Sequence, residues 1–185
     1  MTRAQAAEPE TCTYSTYRWN VDLRRSVDHR IVRHPYSALR DEEIDPATGC
    51  TVCEEDQRVV DVPPLQPFRL CARLADRVEK ALAELIDAGE PIHTVQGYRV
   101  GRSRGDVDEH GNRTRFSNHS YGIAIDINPD QNGLYTDCVR FGPGCRLLRG
   151  GPWRPGQPGS LTPDGAIVLT FKALGFRWGG EIAGR

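Results

Sequence analysis

Hydrophobic positions mark only part of this chain. From Leu70 to Ala88 they recur every three or four residues (Leu70, Leu74, Val78, Leu82, Leu85, Ile86), with Asp, Glu, Lys and Arg on the other side. That spacing predicts an amphipathic helix, ended by Gly89 and Pro91. Ile92 to Arg99 reads as a strand entering a Gly-containing loop. Tyr121 to Asn128 reads as a second strand. Its alternation puts Ile123, Ile125 and Ile127 on one face and Gly122, Ala124 and Asp126 on the other, so a carboxylate shares its face with two of the smallest residues, which leaves room beside it. A short helix is predicted after Thr162, as N-cap, and Pro163, at the first helical position. Its buried stripe is Ile167, Val168, Phe171 and Leu174, and Gly175 ends it. Phe176-Arg177-Trp178 begins a further strand.

Elsewhere the pattern is weak. Residues 1–20 are polar with scattered aromatics (Tyr14, Tyr17, Trp19) and read as an arm, disordered at its start. Val21 to Val62 is charge-rich around the turn Gly49–Cys53, and Pro63, Pro64 and Pro67 punctuate a linker. The expected organisation is a loop-rich N-terminal extension over 1–62 and a domain over 63–185. Gly101–Arg115 reads as a long, mobile polar loop, and Cys138–Pro163 as irregular chain. There is no internal repeat. Two helices and several strands predict an α+β core with long loops.

Composition narrows the function classes. The chain has 185 residues, with 24 Lys+Arg against 25 Asp+Glu and a net charge of −1. No basic excess exists to drive sequence-independent nucleic-acid binding. Mean hydropathy is −0.54, and the apolar runs fall far short of the ~20 residues that span a bilayer. A monomer is expected. Six cysteines (Cys12, Cys50, Cys53, Cys71, Cys138, Cys145) and a single Met point to disulfides and an extracytoplasmic or secreted setting. The N-terminus as written is no signal peptide. Two other readings of the cysteines stay open. Cys50-x-x-Cys53 with Cys138 and Cys145 would make a structural zinc site, and Cys50 with Cys53 a redox pair.

The candidate chemistry lies in Ser117-Asn118-His119-Ser120-Tyr121-Gly122-Ile123-Ala124-Ile125-Asp126. An imidazole and a carboxylate seven positions apart supply two donors of a tetrahedral zinc site. Ser117, His119, Gly122, Ala124 and Asp126 match S-x-H-x-x-G-x-A-x-D at each fixed position. This resembles the zinc D-alanyl-D-alanine carboxypeptidase family, which includes L-alanyl-D-glutamate endopeptidases and the D,D-dipeptidases of vancomycin resistance. Gly97-Tyr98-Arg99 resembles the family's "GYR", and Phe176–Gly180 its "G-[FW]-x-W-G-G". The resemblance runs from about Leu70 to Gly180.

The resemblance implies a small antiparallel sheet with flanking helices, and hydrolysis of peptidoglycan stem peptides with one zinc ion. His119 and Asp126 would be metal ligands, Arg99 the oxyanion-stabilising catalytic residue, and Ser117 and Tyr121 substrate contacts. The chain departs from the family in one respect. The [DE]-x-x-H segment that supplies the base and third ligand is missing, and no His follows His119. The expectation is a truncated form that binds zinc weakly and hydrolyses little. The alternatives are a pseudoenzyme, or replacement of the third ligand by His93 or His110, with Glu181 as an improvised base. The rival function is a non-catalytic module that grips wall peptides through the Arg99 and Ser117 surface. Arg102, Arg104, Arg113 and Arg115 suggest recognition of peptide carboxylates, or else simply a solvated loop.

Overall fold

The computed structural model describes residues 8–136, 138 and 141–182. Strands β1 (Thr11–Asn20), β2 (Arg25–Pro35), β3 (Gln57–Val60) and β4 (Phe68–Cys71) precede helix α1 (Ala72–Asp87). Then come β5 (Val95–Gln96), β6 (Arg102–Val107), β7 (Arg113–Phe116), β8 (Asp126–Ile127), β9 (Leu134–Thr136), β10 (Arg146–Arg149) and α2 (Ala166–Ala173). The architecture is α+β, as the sequence predicts. One sheet has the order β2-β1-β6-β7, and β3–β4, β5–β8 and β9–β10 form two-stranded pairs. No helix among the described residues is long and apolar enough to cross a membrane.

The chain forms two compact units. The first comprises the segment ending at Val59 together with Arg69–Leu74 and Gly97–Ala124. Its centre is a strand that the sequence analysis takes for an arm. β1 buries Cys12, Tyr14, Thr16 and Asn20. This alternation has the period of a strand, but a thiol, a phenol, a hydroxyl and an amide do not score as apolar. The Gly101–Arg115 segment is likewise no mobile loop but the hairpin β6–β7. Asp108 organises its turn, accepting the backbone N–H groups of His110 and Asn112 at 3.0 and 2.8 Å. Asn20 ties the turn to β1, donating to Asn112 Oδ1 at 2.9 Å and to the His110 carbonyl at 2.8 Å.

All six cysteines are bonded: Cys12–Cys53, Cys50–Cys71 and Cys138–Cys145. Cys50 and Cys53 therefore pair with different partners, which overturns both the redox pair and the zinc site built on them. The loops closed span 41, 21 and 7 residues. In the chain-entropy account these contribute roughly 4, 3 and 2 kcal/mol.

Glu43 is the other anchor of the first unit, fully buried. Tyr14 Oη donates to its Oε1 at 2.5 Å, Arg40 Nη2 at 2.9 Å, and the Arg40 backbone N–H to Oε2 at 2.9 Å. His34 Nε2 lies 3.1 Å from the same Oε1. Burial alone would raise the Glu43 carboxyl. The bonds from Arg40, Tyr14 and His34 outweigh it and hold it down to about 2. Burial, with the Glu43 contact adding, pushes the Tyr14 phenol up to about 12.

The second unit comprises Val60–Phe68, Ala75–Gln96 and the chain from Ile125. It holds most of α1, which buries Ala75, Val78, Ala81, Leu82 and Leu85. Each fully buried Val or Leu contributes about 1.5–3 kcal/mol. The predicted helix is confirmed, but Leu70 lies in β4 and the helix begins at Ala72. The predicted strand 92–99 shrinks to β5, and 121–128 to β8. These pair antiparallel, Val95 with Ile127 and Gln96 with Asp126. Asn128 replaces longer pairing with side-chain bonds. Its Oδ1 accepts the N–H groups of His93 (2.7 Å) and Thr94 (3.1 Å), and its Nδ2 donates to the Pro91 and Gly159 carbonyls. Helix α2 starts after Gly165 rather than at Pro163, because Thr162–Gly165 forms a turn closed by Gly165 N–H to the Thr162 carbonyl at 3.1 Å. Phe176–Trp178 is not a strand. Phe176 turns back edge-on to Phe171, 5.6 Å between centroids, and Gly179–Glu181 is a 3-10 turn. The segment taken as irregular contains β10, paired with β9.

Two predictions follow from this packing. Unreduced protein unfolded in denaturant should show no reactive thiol and reduced protein six, and Cys12→Ser with Cys53→Ser should lower unfolding free energy by about 2–4 kcal/mol. Glu43→Gln should lose on the order of 3 kcal/mol at neutral pH. A depressed carboxyl stabilises above its ordinary 4.5 and loses that contribution as pH falls toward about 2. The stability gap between wild type and Glu43→Gln, measured by urea unfolding, should therefore close across that window.

Candidate active site

The site residues of the first unit are placed by β4. The Arg69 carbonyl accepts the Tyr98 N–H at 2.8 Å, and the Cys71 N–H donates to the Gly122 carbonyl at 3.0 Å. The segment Tyr98–Arg99 and the 3-10 turn Asn118–Tyr121 are thereby fixed by one strand, and the Arg99 N–H donates to the His119 carbonyl at 3.1 Å. Gly122 ends the turn at φ +65°, and a Cβ there would collide with the Gln57 side chain and the Cys71 backbone. Glycine is required on both counts. Tyr98 Oη donates to the Val52 carbonyl at 2.7 Å. Burial, with Glu54 and Glu55 nearby, pushes the Tyr98 phenol well above its ordinary range, so it remains a donor.

His119 and Arg99 meet at the Gly97 carbonyl. His119 Nδ1 lies 2.9 Å from that oxygen, and Arg99 Nη1 lies 3.4 Å from it and 3.1 Å from Nδ1. The carbonyl can only accept and the guanidinium can only donate, so Nδ1 either donates to the first or accepts from the second, and in both cases it is a ring nitrogen engaged by the fold. An imidazole that binds a metal through one nitrogen is commonly anchored through the other, and Nδ1 has such an anchor here. The guanidinium of Arg99 is thus held beside this imidazole.

Ser117 and Tyr121 are more committed to the fold. Ser117 is buried, its N–H donates to the Gly101 carbonyl at 3.1 Å, and its Oγ lies 3.3 Å from Ser120 Oγ. Ser120 Oγ is also bonded to Gly101 N and O, both at 3.1 Å. Tyr121 Oη donates to the Glu42 carbonyl at 2.8 Å, and its ring packs edge-on to Phe116. Ser120 and Tyr98 are the residues the motif reading passes over, although both sit inside the quoted matches.

Asp126 belongs to the second unit, half-buried on β8 opposite Gln96. His93 is exposed in the same unit, its backbone held by Asn128. His110 occupies the β6–β7 turn, 3.7 Å from exposed Glu109. Glu181 Oε1 is 2.6 Å from Lys172 Nζ, so its carboxylate is engaged in an ion pair. Among the described residues one group has metal-ligand spacing, Cys12, Cys53 and Glu55. Both its sulfurs are consumed by a disulfide, and the chemistry of that donor set does not fit a metal.

No curated protein and no solved structure matches the chain. A protein-family model described as D-alanyl-D-alanine carboxypeptidase matches residues 110–183. Through that segment, which carries Ser117, His119 and Asp126, the chain matches the D-alanyl-D-alanine carboxypeptidase family that its motif resembles.

Proposed function

We infer that the protein is a zinc-dependent peptidase of the D-alanyl-D-alanine carboxypeptidase type, acting on peptidoglycan stem peptides in an extracytoplasmic setting. The observation that carries this reading is the joint anchoring of His119 and Arg99 on the Gly97 carbonyl. It anchors the His119 ring through Nδ1, as metal-binding imidazoles are commonly anchored, and holds a cation next to it. Three disulfides agree with an oxidising compartment.

In this reading His119, through Nε2, and Asp126, through its carboxylate, would hold zinc. When bound, the ion polarises a scissile carbonyl and lowers the pKa of a bound water. Arg99 would stabilise the negative charge that develops on the carbonyl oxygen. A single fixed donor of this kind is worth roughly 3–4 kcal/mol in the transition state. Ser117 and Tyr121 would border the substrate, Tyr121 through its ring because its hydroxyl is engaged by Glu42.

The test separates metal binding from catalysis. Zinc affinity is measured by chelator competition, and turnover as D-Ala release from a peptide ending in D-Ala-D-Ala. His119→Ala should weaken zinc binding at least tenfold. In a chain carried on through a [DE]-x-x-H segment, Arg99→Ala should keep zinc and lower turnover by about 100-fold. Unchanged zinc affinity in His119→Ala would remove the ligand assignment and the peptidase reading with it. Peptide binding without turnover even in a chain that carries the [DE]-x-x-H segment would favour a non-catalytic wall-peptide module.

A further inference from the structure

The hairpin β6–β7 brings two arginine side chains onto one glycine, with a third arginine beside it in the sequence. Arg115 lies across Gly105, so closely that a Cβ on this glycine would sit 2.7 Å from Arg115 Nε. Arg113 Nη1 donates to the Gly105 carbonyl at 2.6 Å. Arg104 precedes the glycine and is the direct cross-strand partner of Arg115. Like charges placed opposite each other in a sheet repel. No ion pair joins any of the three to an acid among the described residues. Asp106, the acid nearest in sequence, uses its backbone carbonyl to accept Thr114 Oγ1 at 3.1 Å. The neighbouring Arg102 is different. It makes two bonds to Glu42, at 2.8 and 3.1 Å, and stacks over Phe116, 4.1 Å from the ring centroid.

This cluster also has a definite relation to the candidate active site. β7 runs directly into Ser117 and the turn that bears His119. The two-residue period places Arg113 and Arg115 on the face opposite buried Phe116. At about 3.3 Å per residue, Arg115 is roughly 7 Å and Arg113 roughly 13 Å back along the strand from Ser117. β7 ends the order of its sheet, so an extended peptide can run alongside it. A side-chain carboxylate two to four residues from a peptide bond held near Arg99 would then fall beside Arg113 and Arg115, with Arg104 on the neighbouring strand.

The geometry points to Arg104, Arg113 and Arg115 as a carboxylate subsite that selects peptides bearing a free acid upstream of the bond held near Arg99. This inference rests on the peptidase reading and adds the determinant of substrate choice. Guanidinium–carboxylate pairs are charge-assisted and often bidentate, so loss of one partner should be visible in affinity. The open anionic partner also accounts for keeping two arginines face to face.

The experiment is calorimetric binding at low ionic strength. The probes are the pentapeptide L-Ala-γ-D-Glu-L-Lys-D-Ala-D-Ala and the same peptide with its glutamate α-carboxylate amidated. Wild-type protein should bind the free acid about tenfold more tightly. The double variant Arg104→Gln with Arg115→Gln should lose that preference, keep its affinity for the amide, and keep its melting midpoint. Equal wild-type affinity for the two peptides overturns the subsite and leaves the peptidase reading standing. No binding of either peptide overturns both. The wild-type preference is read without any variant, so misfolding of the double variant would not shield the inference.

Discussion

The run Cys50–Cys53 is tied to β1 by one disulfide and to β4 by another, and much of the first unit depends on that double fastening. Between the two cysteines, the Val52 N–H reaches the Glu43 carbonyl at 3.0 Å, and the Val52 carbonyl receives the Tyr98 hydroxyl. One short loop therefore connects the strand at the centre of the sheet, the buried carboxylate, and the segment that carries Arg99. Such a loop has little apolar surface with which to hold itself in place. The covalent links supply the constraint that burial would otherwise have to supply.

The same unit has a core of unusual chemistry. Cys12, Tyr14, Val52, Cys53, Val100 and Phe116 form its apolar cluster, and Glu43 is buried along with it. A buried carboxylate is tolerable only when its oxygens are satisfied, and Tyr14, Arg40 and His34 satisfy them. Satisfying Glu43 also specifies geometry. Each donor comes from a different stretch of chain, so the carboxylate selects one arrangement of β1, β2 and the turn at Arg40.

The candidate chemistry rests on short backbone contacts more than on regular secondary structure. His119 sits on a 3-10 turn closed by a left-handed glycine, and Arg99 on an extended segment between that turn and β4. The Gly97 carbonyl orients both side chains. The motif glycine Gly122 has a steric reason to be glycine, since the Cys71 backbone lies against it. The hairpin that carries Arg104, Arg113 and Arg115 continues through β7 into this turn, so the proposed carboxylate subsite and the candidate residue His119 share one continuous element.

Helix α1, the α+β class and the Ser117–Asp126 motif were legible in the sequence because each depends on local periodicity or on residue identity at fixed spacing. The sequence alone determined the family resemblance and the candidate residues Arg99, His119 and Asp126. Tertiary structure decided the rest. β1 was hidden because its inward positions are Cys12, Tyr14, Thr16 and Asn20, three of them held by a disulfide or long-range hydrogen bonds, and the β6–β7 strands because Phe116 is their one buried residue. Disulfide pairing required the fold, because Cys50 and Cys53, three residues apart, have partners on different strands. The anchoring of the His119 ring and the commitment of the Tyr121 hydroxyl were likewise set by carbonyls distant in sequence, Gly97 and Glu42. A linear pattern encodes which groups are present, and only the folded backbone supplies the acceptors that orient them.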